Sequence, residues 1–184
     1  MSDEPRVVAE GRFLRFVKRG HWEYVERVNV RDVAVLVPVT ENAEIVLVEQ
    51  YRIPVQAAMV ELPAGLVGDE EGVRNEDLLD AANRELEEET GFRAGRLTVL
   101  ARAPSSGGMT SEVISFVAAE ALARVGPGGG VDGEDITVHV VPLAEVRRFL
   151  RERELAGCLI DPKIFAGLYL VGRNPGGRTR SGPY

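Results

Sequence analysis

Apolar and polar residues alternate with a period of two through Arg12-Phe13-Leu14-Arg15-Phe16-Val17 and again through Trp22-Glu23-Tyr24-Val25-Glu26-Arg27-Val28. Two strands joined at Gly20-His21 fit that period, so the first thirty residues are predicted as a hairpin or short meander. The pattern then changes to continuous apolar runs. Val33-Ala34-Val35-Leu36-Val37-Pro38-Val39 is predicted as a buried strand, Ile45-Val46-Leu47-Val48 as its partner, and Thr40-Glu41-Asn42-Ala43 as the hairpin turn between them. Met59-Val60-Glu61-Leu62 is a further short strand, stopped by Pro63-Ala64-Gly65. After a polar acidic loop, a helical period runs from about Glu76 to Thr90, with Gly91 as its cap. Strands follow at 97–101, 113–117 and 136–141, then helices at 143–155 and 162–171. The glycine-rich 126–130 stretch is expected as a flexible connection, and the Gly-, Arg- and Pro-rich residues 172–184 as a disordered tail. This order predicts an α+β fold, an α/β/α sandwich around a mixed sheet, with a small N-terminal β-strand subdomain over 1–30 and the main domain over 31–171.

One helix carries an anomaly. Arg84-Glu85-Leu86-Glu87-Glu88-Glu89-Thr90-Gly91-Phe92 puts four glutamates at a helix C-terminus, where the peptide dipoles already present about half a negative charge. Glu85 and Glu89 are also four apart, so they repel. At 100° per residue, Leu78, Leu79, Ala82 and Leu86 form the buried face; Glu85 and Glu89 fall within it, Glu88 on its flank and Glu87 opposite. Unpaired charge directed into a protein is costly. Core arginines, or a solvated acidic patch, are one resolution. A divalent cation is the other, and carboxylate oxygens without His or Cys select Mg²⁺, with Mn²⁺ the alternative.

Composition narrows the setting. The 184 residues suit one domain with a small appendage, and the net charge of −7 excludes nucleic acid as a bulk partner. No apolar run reaches the length of a membrane span and the N-terminus has no apolar signal core, so no membrane partner and a cytoplasmic location are expected. The single Cys158 excludes an intrachain disulfide and a cysteine-based zinc site.

The acidic segment resembles the Nudix box, G-x5-E-x7-R-E-U-x-E-E-x-G-U with U a bulky apolar residue. Residues 84–92 match its second half at every defined position, Glu76 stands eight before Arg84, and Gly65 opens it. Ten residues separate Gly65 from Glu76 where the pattern has five, consistent with an insertion around Gly68-Asp69-Glu70-Glu71-Gly72. The resemblance implies a Nudix fold and a loop-helix-loop that binds divalent cations bridging a diphosphate. It implies Glu85, Glu89 and the Ala64 carbonyl as metal ligands, with Glu88 as a further ligand or acid, and Arg84 orienting the glutamates.

Four further segments resemble the ADP-ribose pyrophosphatase and nucleoside-diphosphate-sugar hydrolase group. Glu49-Gln50-Tyr51-Arg52 is similar to its E-Q-x-R, and Glu61-Leu62-Pro63-Ala64-Gly65 to its E-L-P-A-G. Trp22-Glu23-Tyr24-Val25-Glu26-Arg27 is similar to W-E-x-V-x-R, and Gly133-Glu134-Asp135-Ile136-Thr137-Val138 to the acidic loop before the last strand. By this resemblance Trp22 stacks on a base across a homodimer, while Glu23, Arg27, Arg31 and Arg52 bind substrate. Gly107, Gly108 and Glu112 join them, in a segment similar to S-P-G-G-x-S-E but without its proline. Glu134 is implied as general base or additional metal ligand, with Asp132 its rival and Glu88 a further catalytic acid. Trp22 as a core residue, and Arg52 as a structural partner of Glu49 or Glu61, are the plain alternatives.

The implied reaction is Mg²⁺-dependent hydrolysis of ADP-ribose to AMP and ribose 5-phosphate. GDP-mannose or another nucleotide sugar is the alternative substrate. A non-hydrolytic ADP-ribose sensor and an oxidised-nucleotide sanitising enzyme are the rivals.

Overall fold

A computed structural model describes residues 4–68, 77–131 and 133–173. Glu76, Asp132 and the tail beyond Arg173 lie outside the described residues.

The N-terminal alternation forms an antiparallel sheet of β1 (Arg6–Glu10), β2 (Leu14–Arg19) and β3 (Trp22–Arg27), in that order. Its turn at Gly20 has φ 59°, a left-handed conformation suited to glycine. β1 is exposed throughout, and Val17 is the buried hydrophobic residue of the three strands. β3 is tied to the rest of the chain through Val25, whose N–H donates to the Met109 carbonyl at 2.9 Å and whose carbonyl accepts from the Ser111 N–H.

Two mixed four-stranded sheets make the body. β4 (Asp32–Pro38), β7 (Ala64–Val67), β8 (Phe92–Pro104) and β9 (Val113–Arg124) form one, ordered β7-β4-β9-β8. β5 (Glu44–Arg52), β6 (Ala57–Glu61), β10 (Thr137–Pro142) and β11 (Leu159–Ile160) form the other, ordered β10-β5-β6-β11. Each sheet has one parallel pair, β4 with β9 and β6 with β11.

The expected β4–β5 hairpin is corrected. The turn at residues 40–43 is present, with the Thr40 N–H on the Glu44 carbonyl, but the two strands share only a bridge between Val39 and Ile45 and enter different sheets. The physical reason is burial on both faces of β4. Val33, Val35 and Val37 join Ile45 and Leu47 in the main core with Val146, Leu150 and Ile164, while Ala34 and Leu36 pack against Ala82 and Leu86 on the opposite face. Helix α1 (Leu78–Thr90) therefore covers one face, and α2 (Val146–Leu155) and α3 (Lys163–Arg173) lie on the other. This is the α+β layering that the order of elements predicts. Gly167 lets α3 approach closely, since a Cβ there would lie 2.8 Å from Leu62 and 3.0 Å from Val37.

Candidate active site

Helix α1 is set by its ends. The Asp77 carboxylate accepts the Leu79 N–H at 2.9 Å, and Gly91 closes the helix at φ 74° with its N–H on the Glu87 carbonyl. Asn83 fixes the helix to β8, donating to the Ala94 carbonyl and accepting the Ala94 N–H. Burial of the four glutamates follows the helical wheel. Glu89 is 6% exposed, and side-chain exposure rises through Glu85 (16%) and Glu88 (28%) to Glu87 (36%), which pairs with Arg93.

The connection at 126–130, expected to be flexible, wraps the C-terminus of α1. Gly129 and Gly130 donate their N–H groups to the Glu89 and Glu88 carbonyls at 2.9 and 3.0 Å, and Val125 and Gly126 donate to Gly91. Orphan carbonyls that would intensify the negative end of the helix are thereby bonded. Only glycine fits this approach: a Cβ on Gly128, at φ 71°, would lie 2.4 Å from the Thr90 carbonyl carbon. The same wrapping carries Glu134 to the helix, since a Cβ on Gly130 would lie 2.7 Å from Glu134 Oε2.

Glu89 is the focus of the electrostatics. Burial pushes its carboxyl up to about 8, helped by the negative charges of Glu85 and Glu134 and opposed by the Ala64 N–H and Arg52. The Ala64 N–H donates to Glu89 Oε2 at 3.1 Å. Arg84 bridges Glu85 and Glu88 at 3.0 and 3.1 Å. Gly65 makes room for Glu85: an added Cβ would sit 1.9 Å from its Cδ. Gly65 lies within β7 without a positive φ, so it supplies space for Glu85 rather than an unusual backbone conformation.

Among the described residues, no three His, Cys, Asp or Glu side chains form a ready-made metal-ligand group. The donor set nevertheless fits a hard divalent cation. It consists of carboxylates that repel one another around a buried member whose charge the protein leaves largely uncompensated.

Arg52 donates to Glu61 Oε2 at 2.7 Å, so Glu61 is its partner rather than Glu49. Glu61 is itself buried beside Asp161, both of which raise its carboxyl, against Arg52 and Lys163. Glu49 bonds Arg153 and His139 instead. Although its burial acts upward, those bonds hold its carboxyl below the usual range, and they pin α2 to β5 and β10.

Arg27 pairs with Glu112 across 85 positions, and both line a cleft of 390 Å³ with Arg31, Asp32, Arg102 and Ser111. Asp32 and Arg102 carried no motif signal; the β8–β9 pairing, which sets Arg102 against Ser115, and the β4–β9 pairing, which sets Val33 against Ile114, bring them here. Glu23 pairs with Lys18, and Gly107 and Gly108 lie in a turn closed by Met109 and Thr110 N–H groups on the Ser106 carbonyl, away from the cleft lining. Trp22 is 53% exposed against His21, which excludes a core role in the described chain. It stands five residues from Arg27 along β3, about 17 Å.

The NUDIX domain model matches residues 30–159, and the chain belongs to that family. It is 35% identical over 124 residues to an ADP-ribose pyrophosphatase of Bacillus subtilis, covering 67% of this chain and 64% of the relative. It is 37% identical over 122 residues to a methanol dehydrogenase activator of Bacillus methanolicus, covering 65% and 63%. A GDP-mannose pyrophosphatase of Pectobacterium atrosepticum is 36% identical over 112 residues, covering 55% and 53%. Each match thus spans under two thirds of the relative's length. The crystal structure of an ADP compounds hydrolase shares the fold at a TM-score of 0.67 and 22% identity, over 91% of this chain and 89% of that one.

Proposed function

We propose that the chain hydrolyses the diphosphate bond of a nucleoside diphosphate sugar in a Mg²⁺-dependent reaction, with ADP-ribose giving AMP and ribose 5-phosphate. The observation that carries this reading is the gathering of Glu85, Glu88, Glu89 and the Glu134 loop at one helix end, with Arg52 within electrostatic reach of Glu89. The Bacillus subtilis relative supplies the substrate, and the Pectobacterium relative makes GDP-mannose the second reading. The lack of the expected proline in residues 105–112 favours keeping both.

Glu85, Glu88, Glu89 and the Ala64 carbonyl would hold the cation, Mg²⁺ or Mn²⁺, with Glu134 an additional ligand if Asp132 is the base. When bound, it would supply neutralisation of the diphosphate and polarisation of its P–O bonds. Glu134 takes the proton of the attacking water, a role for which Asp132 is the alternative, and Glu88 is the remaining acid. Arg27, Arg31, Arg52 and Glu112 orient the substrate, with Glu23, Gly107 and Gly108 as outlying contacts. Trp22 stacks on the base of a substrate held by a second copy, which its exposure and distance from Arg27 support. Val7, Val8, Phe13 and Leu14, all more than 40% exposed, support the N-terminal sheet of residues 1–30 as the dimerising unit beside a hydrolase domain over 31–171. Among the described residues no helix is long and apolar enough to cross a membrane, and a cytoplasmic setting is part of the same reading.

With Mg²⁺, ADP-ribose or GDP-mannose should be cleaved at least tenfold faster than other nucleotide sugars or a deoxynucleoside triphosphate. Binding of ADP-ribose without product would favour a sensor, and preference for the triphosphate a sanitising enzyme. Glu134→Gln should lower kcat about 10²-fold while Mg²⁺ binding, followed by calorimetry, persists. An unchanged kcat and pH profile would move the base to Asp132.

A further inference from the structure

The cleft beside the acidic helix is balanced in charge. Of its lining residues Arg27, Arg31 and Arg102 are cationic, and Glu26, Asp32 and Glu112 are anionic. Glu26 is paired with Arg15, Arg27 with Glu112 and Arg102 with Asp32. Another phosphate entering here would have to break these pairs and would face three carboxylates. A neutral polyhydroxylated group would not, because each hydroxyl can donate to a carboxylate and accept from the neighbouring guanidinium.

Asp32 is built to do this. Its Oδ1 accepts from the Val33 N–H at 2.8 Å and from the fully buried Ser115 hydroxyl at 3.1 Å, while Oδ2 accepts from Arg102 at 3.1 Å. The carboxylate is thus fixed in orientation, and Oδ2 retains capacity for a further donor. Glu112 on the facing loop is held similarly by Arg27. Position agrees with chemistry. Asp32 lies two residues before Ala34, the β4 partner of Gly65, and Gly65 touches Glu85. Two strand residues span about 7 Å and the step across to β7 adds about 5 Å, so the cleft lies near the carboxylates without including them.

We propose that this cleft is the sugar subsite and that the Asp32–Arg102 pair is a specificity-determining couple for sugar hydroxyls, an inference that rests on the nucleotide-sugar reading above. A site built to bond a substrate hydroxyl discriminates strongly against an analogue that lacks it, because its own polar groups are then left unpaired.

The test compares kcat/KM, with Mg²⁺, for ADP-ribose and GDP-mannose, each against the methyl ester of its own nucleoside diphosphate. Wild type should prefer one sugar substrate over its ester by at least about tenfold. Asp32→Asn should collapse that ratio at least tenfold. Arg102→Gln should reduce it in the same direction; its side chain is 60% exposed, so this variant keeps the test valid if Asp32→Asn fails to fold. A wild-type ratio near one, or a ratio unchanged in every folded variant, overturns the inference while leaving diphosphate hydrolysis intact. Hydrolysis of neither sugar nucleotide nor ester overturns the nucleotide-sugar reading and this subsite with it.

Discussion

Glu89→Gln should cut hydrolysis about 10³-fold and, at pH 8 without metal, make the protein more stable than wild type. The carboxyl is 6% exposed and lies within electrostatic reach of Glu85 and Glu134, so its ionisation is resisted by burial first and by repulsion second. The folded group keeps its proton up to about 8, whereas an unfolded glutamate releases it near 4.5. Within that window the native state binds more protons, so raising the pH removes stability. Glutamine does not titrate and still offers an oxygen to the Ala64 N–H. Its unfolding midpoint in EDTA should fall less between pH 5 and pH 8 than the wild-type midpoint, since Glu61, also raised, titrates in both proteins. The expected gap at pH 8 is on the order of 1–3 kcal/mol, several degrees for a chain of this size. Mg²⁺ at pH 8 should restore the wild-type midpoint and leave the variant unmoved. Activity should drop about 10³-fold, the scale of several kcal/mol of lost charge stabilisation. Equal pH slopes for the two proteins, or a variant that hydrolyses normally, would sink the assignment of Glu89 as the buried ligand.

The part of this site legible in the sequence is the part written in helical periodicity. Glu85, Leu86 and Glu89 belong to one short helix, and a wheel orders their burial because each position depends on its neighbours through a fixed rotation. Gly91 was legible for the same reason. Strand pairing was not, because it joins distant residues. The apolar run 33–39 marks a strand buried on both faces, yet nothing in it says that Val33 pairs with Ile114 of β9 rather than with β5. β8 is longer than its apolar centre suggests. Its polar positions Arg93, Arg96 and Arg102 point outward from a strand that continues from Phe92 to Pro104 against β9. Arg102 therefore reaches Asp32 across 70 positions, a juxtaposition set by tertiary pairing alone. The 126–130 glycines read locally as a flexible connection. Gly128 is instead required by close approach to the Thr90–Gly91 backbone, and Gly129 and Gly130 bond the last carbonyls of α1, which no local rule reports.

Gly65→Ala should separate function from stability. An added Cβ would lie 1.9, 2.0 and 2.4 Å from Cδ, Cγ and Oε1 of Glu85, so the two cannot coexist in their present positions. The three nearest atoms all belong to the side chain of Glu85, which can rotate away for roughly 0.5–1.5 kcal/mol. The backbone of Gly65 is within β7 and outside the left-handed region, so alanine fits its conformation and restricts the unfolded chain, returning about 0.4–1 kcal/mol. The two effects nearly cancel, and the urea midpoint should change by no more than about 1 kcal/mol of stability. Hydrolysis should nevertheless fall by about 10²-fold or more, because Glu85 is displaced from Glu89 and Arg84 by more than an ångström. Gly91 and Gly128 provide the contrast. Their added Cβ atoms would meet backbone at 2.3 and 2.4 Å from positive-φ conformations, so alanine there should lower the midpoint markedly. A Gly65→Ala protein that unfolds as readily as Gly128→Ala would make Gly65 a backbone requirement after all. One that retains full activity would show that Glu85 need not occupy the space the glycine keeps open.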